Sequence, residues 1–600
     1  MRWILFICLI STSVFSQNTK QIAYQYYING EYKKAIAIYE ELTAKYLSIN
    51  NYDAFYHSLL IIEDYKKAIN LSKKYVRKYP QDLKYQLGII IAKDKSGNNS
   101  NIKLEYDKFF KRLDGGYSQA VNIARKFIKY SMYQKALDVY VLTEKKNNQN
   151  NFGIQKAELY AQLDELDLML NEYLDVIEKI PNKKSMITSK IQTFLDNNGI
   201  KNDKNYDLVK KSLLRRVKLE KDRTDFSEML IWLFMQNHQF NLALIQAKAL
   251  DKRTKSDGEQ VYNLAETFLD KEYFEIAIEG YDYVITKGMK NRFFIDANIN
   301  RLYALTKQIK IKTQDLSILD NEYNNIITDL GKNRNTVLLF SNYAHFKAFY
   351  LHDLISAENL LIDAMDITGI NKYDLAECKL EYADVLLLQG NIWQSILYYS
   401  QVEKDYKEHP LGHEAKLRIA KISYYQGDFQ WAQAQLESLK ASTSKLIANN
   451  AMELSLLITD NYNLDTTEIS MKTFARAEML HYQQKYDEAL LQYDSILIAF
   501  NGHSLSDEIY MRKADIYLNN GDIENALHNY EKIEEDWSYD ILADDALYKR
   551  AGIYDNILNA PDLAMELYEK ILLEHNSSIY VAHSRKRFRD LRGDNFIEEK

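Results

Sequence analysis

Few residues in this sequence have the types and spacing that could carry chemistry. His409 and His413, in the stretch EHPLGHE, are four residues apart, a spacing at which two histidines on one helix converge on a metal ion. Pro410 and Gly412 stand between them, which favours a loop, with Glu414 beginning the next helix. We therefore expect neither a metal site nor a bound cofactor here.

The sequence contains no motif that cradles a phosphate, a dinucleotide or a catalytic nucleophile. It has no GxGxxG, no P-loop, no GxSxG and no HExxH. Cys378, the one cysteine beyond the first residues, has the pattern of a partly buried small residue rather than of a reactive thiol. Acidic side chains recur beside lysines, as Glu31 does beside Lys33 and Lys34, which is typical of a solvated helix face. We expect no enzymatic activity.

Length and composition limit what kind of scaffold could position such residues. A chain of 600 residues is too long for one ordinary core, and 46% hydrophobic with 27% charged residues indicates a folded protein. With 19 Gly and 4 Pro, the tight turns that strands need are scarce, so the sequence predicts an all-α fold with short loops. A net charge of −7 gives no overall basic bias toward nucleic acid.

The first residues have the pattern of a secretory signal peptide. Arg2 precedes the apolar run Trp3 to Ile10, and small residues lead to a cleavage point between Ser16 and Gln17. Cys8 lies too early for a lipid anchor. No later apolar run approaches the ~18 residues that span a bilayer. The sequence thus predicts an exported protein without a transmembrane segment.

A small residue recurs at a nearly fixed interval along the chain. The intervals are 33 or 34 residues in the first half and 37 or 38 in the second, which indicates stacked repeats. These marker residues are Ala35, Ala68, Ala136, Ala243, Ala277, Ala357, Ala432, Ala489, Ala526 and Ala564, with Met169 and Ser395 as weaker members.

Further positions keep register with the markers. A small residue stands twelve positions earlier in several repeats, as Ala514 does before Ala526, where two helices of a pair would meet closely. Four positions after most markers, one helical turn on and on the same face, stands a tyrosine. Glycines such as Gly390 and Gly521 occupy the turn between the two helices. The tyrosines are Tyr39, Tyr140, Tyr173, Tyr281, Tyr399, Tyr493, Tyr530 and Tyr568.

This pattern resembles the tetratricopeptide repeat family, in an exported bacterial member. The pair Leu87-Gly88 and the run Ala514, Tyr517, Gly521, Ala526 and Tyr530 match the family pattern directly, and the resemblance covers most of residues 20–592. It implies a right-handed α-α superhelix of about 12–14 helix pairs, some of them degenerate.

The repeats suggest a division of the chain into segments. We predict a signal peptide at 1–16, an N-terminal repeat array at 17–181 and a C-terminal array at 336–592, with a disordered tail at 593–600. Between the arrays, residues 182–335 have degenerate repeats that include a more regular part at 225–286. The interval from Ala432 to Ala489 exceeds one repeat by about twenty residues, which predicts an extra helix near 445–459.

The resemblance also implies where a partner would bind. The first helix of each pair lines the concave groove of such a superhelix, and aromatic side chains beside carboxylates suit an extended or helical peptide. The predicted groove residues are Tyr424, Tyr425, Phe474, Glu478, His481, Tyr482, Met511, Asp515, Tyr548 and Asp555. The last helix supplies a possible docking strip for an acidic partner or lipid headgroups, although a polar cap is the simpler interpretation. The strip residues are Arg585, Lys586, Arg587, Arg589 and Arg592.

Three kinds of function follow from this pattern. The favoured one is a non-catalytic scaffold that binds envelope proteins, not nucleic acid, in the periplasm or at the outer-membrane periphery of a Gram-negative bacterium. The alternative is a glycan- or peptide-binding protein associated with the outer membrane. An enzyme acting on cell-wall glycan would need a compact catalytic domain, for which the repeats leave no room.

Overall fold

The computed structural model describes residues 19–97, 101–196, 203–220, 222–309, 316–441, 444–462 and 468–593. Within these ranges the protein is all-α, with one short 3-10 turn at Pro181–Lys183 and no β-strand. The predicted signal peptide at 1–16 and all but the first residue of the predicted tail lie outside these ranges. None of the described helices is long and apolar enough to cross a lipid bilayer.

Two compact units make up the chain, Met1–His238 and Gln239–Lys600. The helices of the first unit are α1 (19–28), α2 (Tyr32–Lys45), α3 (Ile49–Ile61), α4 (Tyr65–Lys78), α5 (Leu83–Lys95), α6 (Ile102–Lys111), α7 (Tyr117–Lys129), α8 (Tyr133–Lys146), α9 (Gly153–Gln162), α10 (Leu166–Lys179), α11 (Lys184–Leu195), α12 (Asp203–Leu219) and α13 (Asp225–Gln236).

The second unit contains the remaining helices. They are α14 (Phe240–Thr254), α15 (Glu259–Asp270), α16 (Phe274–Ile285), α17 (Phe294–Lys307), α18 (Ser317–Leu330), α19 (Val337–Phe349), α20 (Leu354–Met365), α21 (Lys372–Leu388), α22 (Ile392–Asp405), α23 (Pro410–Tyr425), α24 (Phe429–Leu439), α25 (Lys445–Tyr462), α26 (Ile469–Tyr482), α27 (Tyr486–Ala499), α28 (Ser506–Asn519), α29 (Ile523–Asp536), α30 (Ala543–Asn556), α31 (Pro561–Glu574) and α32 (Val581–Arg592).

A residue in the left-handed backbone conformation precedes each of the twelve marker residues. It stands five positions before the marker residue, as Gly30 does before Ala35, and its φ lies between +50° and +88°. The next amide closes the turn onto the first helix; for example, Asp64 N–H donates to Leu59 C=O at 2.9 Å. The turn residues are Gly30, Glu63, Ser131, Asp164, His238, Glu272, His352, Gly390, Gly427, Gln484, Gly521 and Asn559. Since most of them are not glycine, backbone geometry reveals the repeat more fully than glycine spacing does.

The predicted small-residue positions are close contacts between helices. All ten marker alanines are fully buried, and so are the eight predicted tyrosine rings, nearly or completely. In the pair α15–α16, a Cβ added at Gly280 would lie 2.8 Å from the Cβ of Ala265, so no larger residue fits there. The predicted helix-pair repeat is therefore confirmed.

Helix α25 interrupts the alternation of first and second helices. The first helix of a pair is called an A helix here and the second a B helix. α23 packs directly on α26, so α26 takes the next A position and α25 lies outside the stack. Ile447, Ala451 and Ile458 anchor α25 in the core formed by α23, α24 and α26. Its other face remains available to line a cavity.

Candidate functional site

The predicted groove residues lie on four A helices of the second unit: α23, α26, α28 and α30. Phe474 is a core residue rather than a groove residue, because its side chain is fully buried with its ring centroid 5.6 Å from that of Tyr493. Tyr424 and Met511 are also almost fully buried, but they form the floor of a cavity. Tyr425 and Glu478 line the same cavity.

The predicted groove carboxylates are engaged within the protein. Asp515 accepts the hydroxyl hydrogen of Tyr530 on the B helix of its own pair. Lys549, on the next A helix, donates to the same carboxylate at 2.7 Å. Glu478 is bound in a similar way by Arg512 at 2.7 Å and by the Tyr424 hydroxyl. These carboxylates join neighbouring layers of the stack.

Asp555 and the docking strip meet in the same kind of contact. Arg587 donates two hydrogen bonds to Asp555, at 2.8 and 2.9 Å, and Tyr568 donates a third at 3.2 Å. This bidentate pair holds α32 against α30, so Arg587 is a structural residue and not part of a free strip. Arg587 and Tyr568 hydrogen bonds also lower the pKa of the Asp555 carboxyl.

The contacts follow a repeating spacing that the sequence analysis missed. Asp384 is bound by Tyr399, 15 residues later, and by Arg418, 34 residues later. Glu266 is bound by Tyr281 and, at 2.7 Å, by the amide of Asn300, at the same spacings. We call this set of contacts between layers the ladder. Its carboxylates, each bound by a residue one repeat further along, are Glu266, Asp384, Glu478, Asp515 and Asp555. One-period spacing between an acid and a base was the signal available in the sequence.

The remaining predicted groove residues also contact their own chain. The Tyr482 hydroxyl donates to Asp384 at 3.0 Å, so the end of α26 reaches α21. Burial and the Arg512 charge lower the pKa of His481. The ring of Tyr548 stacks on Tyr580 with centroids 4.0 Å apart.

The other strip residues lie along α32. Arg585 and Lys586 are exposed. Arg589 is exposed as well, and the guanidinium of Arg592 lies 5.1 Å from the centroid of the Phe588 ring. The opposite side of the helix packs against the last core cluster through Val581.

A cavity of about 570 Å³ opens between α25 and the A helices α23, α26, α28 and α30. Leu456 and Asp460 of α25 form one side, and Arg512, Ile541 and Lys549 belong to the other. Leu456 is 53% exposed and Ile541 is 76% exposed, so apolar surface faces solvent on both sides. Sequence analysis did not place α25 beside the predicted groove; only the excess of residues after Ala432 pointed to an insertion.

Two acidic groups of this cavity, Glu508 and Asp545, have raised pKa values. Burial and the adjacent Asp507 raise the pKa of Glu508 to about 9. Burial, together with the charges of Asp544 and Glu453, raises the pKa of Asp545, although Tyr580 donates a hydrogen bond to it. Glu508 is therefore uncharged at neutral pH, unlike an ordinary glutamate.

The prediction that the stretch EHPLGHE forms a loop is wrong. The stretch begins a helix rather than a loop: α23 starts at Pro410, and His409 caps it by accepting the Leu411 N–H at 3.2 Å. Gly412 lies inside the helix, where an added Cβ would fall 2.1 Å from the Tyr406 carbonyl oxygen. In the described ranges no group of three or more His, Cys, Asp or Glu side chains could hold a metal ion.

Comparison with known proteins gives no sequence relative. No family model matches the chain, and no curated protein sequence matches it. The chain aligns with a chain in the structure of Naa15/Naa10 bound to HypK-THB at 12% identity, over 98% of this chain and 97% of that one, with a TM-score of 0.27. Yeast Tom70 aligns at 15% identity, 93% and 99% coverage and a TM-score of 0.27. The P58(IPK) TPR domain aligns at 16% identity, 62% and 98% coverage and a TM-score of 0.18.

These TM-scores are too low to compare whole folds. The class of the protein rests on its own geometry: buried alanine contacts, tyrosines in register and a left-handed residue before each marker. Those features define an all-α protein built of stacked helix-pair repeats.

Proposed function

We propose that this protein is a non-catalytic scaffold of the bacterial cell envelope that binds a segment of a partner protein. The binding site is the cavity between α25 and the A helices of the second unit. Its lining combines exposed apolar side chains, such as Leu456 and Ile541, with carboxyl groups that form no ion pair within the described ranges, such as Glu453 and Asp460. An extended or helical peptide segment fits such a surface better than a small molecule does.

The exposed apolar side chains carry this proposal. Leu456 and Ile541 project from opposite sides of a cavity of about 570 Å³. Because the two side chains are 53% and 76% exposed, removing this remaining surface from water on binding contributes about 1–2 kcal/mol each. A partner that inserts an aliphatic or aromatic residue between them would gain this stabilisation.

The ladder explains why other polar residues of the predicted groove are not counted as binding residues. Glu478, Asp515 and Asp555 already accept two or more hydrogen bonds from their own chain. If these carboxylates bound a partner, contacts between layers would break. They therefore support the fold, while α25 supplies the surface that can bind a partner.

Export to the envelope is part of the same proposal. The charged start, the short apolar run and the small residues before Gln17 support it. N-terminal sequencing of protein isolated from the periplasmic fraction should find Gln17 as the first residue; intact protein beginning at Met1 in the cytoplasm would contradict export.

Site-specific crosslinking tests the binding site. A photo-crosslinking amino acid at position 456 should capture one predominant partner in intact cells, and Leu456→Asn with Ile541→Asn should weaken its binding at least about tenfold. Both residues are exposed, so the fold should be unaffected.

Ile355→Asn on α20 is the matched control. Ile355 is an equally exposed aliphatic residue, 74% exposed, that does not line the cavity. The control should bind the partner normally. Equal binding by the cavity variant and the control would refute the proposed site.

A further inference from the structure

Carboxyl groups without a cation of their own line the cavity from two helices. Glu453 and Asp460 belong to α25, and Glu508 belongs to α28. In the part of the chain that the structure describes, none of the three forms an ion pair. The neighbouring residues 463–467, which the structure does not describe, contain no lysine or arginine in the sequence.

Glu508 lies at the inner end of this acidic surface. One carboxyl oxygen, Oε1, accepts a hydrogen bond from the amide of Asn461 at 3.3 Å. The other, Oε2, is buried, and so is the adjacent Asp507. After burial, a hydrogen bond between these two carboxyl groups and their like charges add to the raised pKa of Glu508. A cation that takes the place of the shared proton would favour the charged form of both groups.

A second acidic pair spans the cavity. Glu453 of α25 faces Asp545 of α30, and their like charges contribute to the raised pKa of Asp545, behind burial and Asp544. Lys549 partly offsets this, but its own hydrogen bond goes to the ladder carboxylate Asp515.

The other cations near the cavity do not neutralise the acidic side. Arg512 is committed to Glu478 at 2.7 Å. Lys421 of α23 lines the cavity and is the remaining basic group of its lining. The carboxyl groups that are not already paired therefore outnumber the unpaired cations.

We propose that the cavity binds a lysine or arginine side chain carried on an apolar segment of the partner, with Glu508 as its acceptor. The inference rests on the proposed function. The apolar part of the segment contacts Leu456 and Ile541, and the cationic head reaches the carboxyl group of Glu508, with Asp460 and Glu453 nearby. A charge-assisted hydrogen bond of this kind is stronger than one between neutral groups.

Binding of the cation is coupled to loss of a proton. Because Glu508 has a pKa of about 9, it is protonated near neutral pH. A bound ammonium or guanidinium group favours the carboxylate, so the Glu508 proton is released to solvent. Affinity for the cation should therefore rise with pH up to about 9, below the usual lysine pKa of about 10.4.

Matched peptides test this inference directly. The probes are three fluorescent versions of one leucine-rich amphipathic peptide, with lysine, glutamine or glutamate on the polar face, titrated by anisotropy into the full chain. The lysine peptide should bind at least about tenfold more tightly than the glutamine peptide, and the glutamate peptide most weakly. In Glu508→Gln the rise of affinity with pH should disappear, and the preference for lysine should fall to what Glu453 and Asp460 alone provide.

Glu566→Gln on α31 is the control, since Glu566 is exposed and lies outside the cavity. It should retain the preference for lysine. If the wild type binds the lysine and glutamine peptides equally well, or the preference for lysine and its rise with pH are undiminished in Glu508→Gln, the inference is wrong while the cavity still binds peptides. If no peptide binds, the inference is also wrong, and crosslinking at position 456 then decides separately whether the cavity is a binding site.

Discussion

Replacing Asp384 by alanine should show how far the ladder stabilises the stack. Asp384 accepts hydrogen bonds from Tyr399 and Tyr482 and pairs with Arg418, so one carboxylate connects α21, α22, α23 and α26. Its side chain is 11% exposed and that of Arg418 is 27% exposed. Removing the carboxylate leaves a mostly buried guanidinium and two hydroxyl groups without their acceptor.

The cost can be worked out from these contacts. Removing one partner of a fully buried ion pair costs about 3–5 kcal/mol. Arg418 is partly exposed and keeps Glu414 at 3.0 Å, so we assign about 2 kcal/mol to the stranded charge. Loss of the acceptor for the buried Tyr399 hydroxyl adds about 1 kcal/mol. The variant should therefore lose about 3 kcal/mol of local stability.

Hydrogen exchange followed by mass spectrometry is the appropriate assay, because a long repeat array need not unfold in one step. In Asp384→Ala, amides of α21, α22 and α23 should exchange about a hundredfold faster, and those of α3 to α5 in the first unit should not change. Adding Arg418→Met should recover much of the loss, since it removes the unpaired charge.

Glu535→Ala provides the contrast. Glu535 pairs with Lys532 at 3.3 Å on an exposed helix face, so its loss should cost less than about 0.5 kcal/mol. If Asp384→Ala also cost less than about 1 kcal/mol, or accelerated exchange equally in both units, the ladder would not be a stabilising element.

Three further predictions concern single residues. Gly390→Ala should lower the free energy of unfolding by about 1 kcal/mol, and Glu272→Gly should raise it by about 0.5 kcal/mol, as measured by thermal melts. Both positions have a left-handed backbone (φ +88° and +62°), which glycine adopts without strain, and no atoms crowd Gly390. A change of the same sign in both variants would contradict this. Cys378 should resist thiol reagents in the folded protein at pH 8 and react after denaturation, since burial raises its pKa to about 12; rapid labelling of the native state would refute this. Glu508→Gln should raise Tm relative to the wild type at pH 8 but not near pH 4. Folding raises the pKa of Glu508 from 4.5 to about 9, so the wild type loses stability as the pH rises between those values. An equal Tm difference at both pH values would exclude the raised pKa.

The repeat could be predicted from sequence because its signals are local. A buried alanine and a tyrosine one turn later, such as Ala526 and Tyr530, reflect contacts within one pair of helices. The turns between helices were harder to predict from the sequence. Residues such as Glu272 and Asn559 adopt the left-handed conformation imposed by the packing of the two helices, so they lack the glycine that usually signals it. Tertiary packing overrode the local preference at these positions.

That the predicted groove binds a partner stays a prediction, but the internal contacts of its residues could not be predicted from the sequence, for a different physical reason. Carboxylates and aromatic rings on A helices suit a peptide ligand, but they suit the next layer of the stack equally well. Asp515 and Lys549 are one period apart, and the sequence does not say whether such a pair closes on itself or remains open. Phe474 was misplaced because an aromatic residue on an A helix can turn toward the groove or toward the B helix, and here Tyr493 receives it.

The position of α25 explains why we propose a binding site where the repeat is broken. Within the regular layers, each ladder acid is satisfied by a residue one repeat further along, so repetition itself uses up the polar groups of the A helices. An inserted helix has no equivalent in the neighbouring layers. Glu453, Leu456 and Asp460 thus lack the partners that periodicity provides, and these are the groups that we propose contact another molecule. A chain of identical repeats would stack as well as this one but would have no such surface.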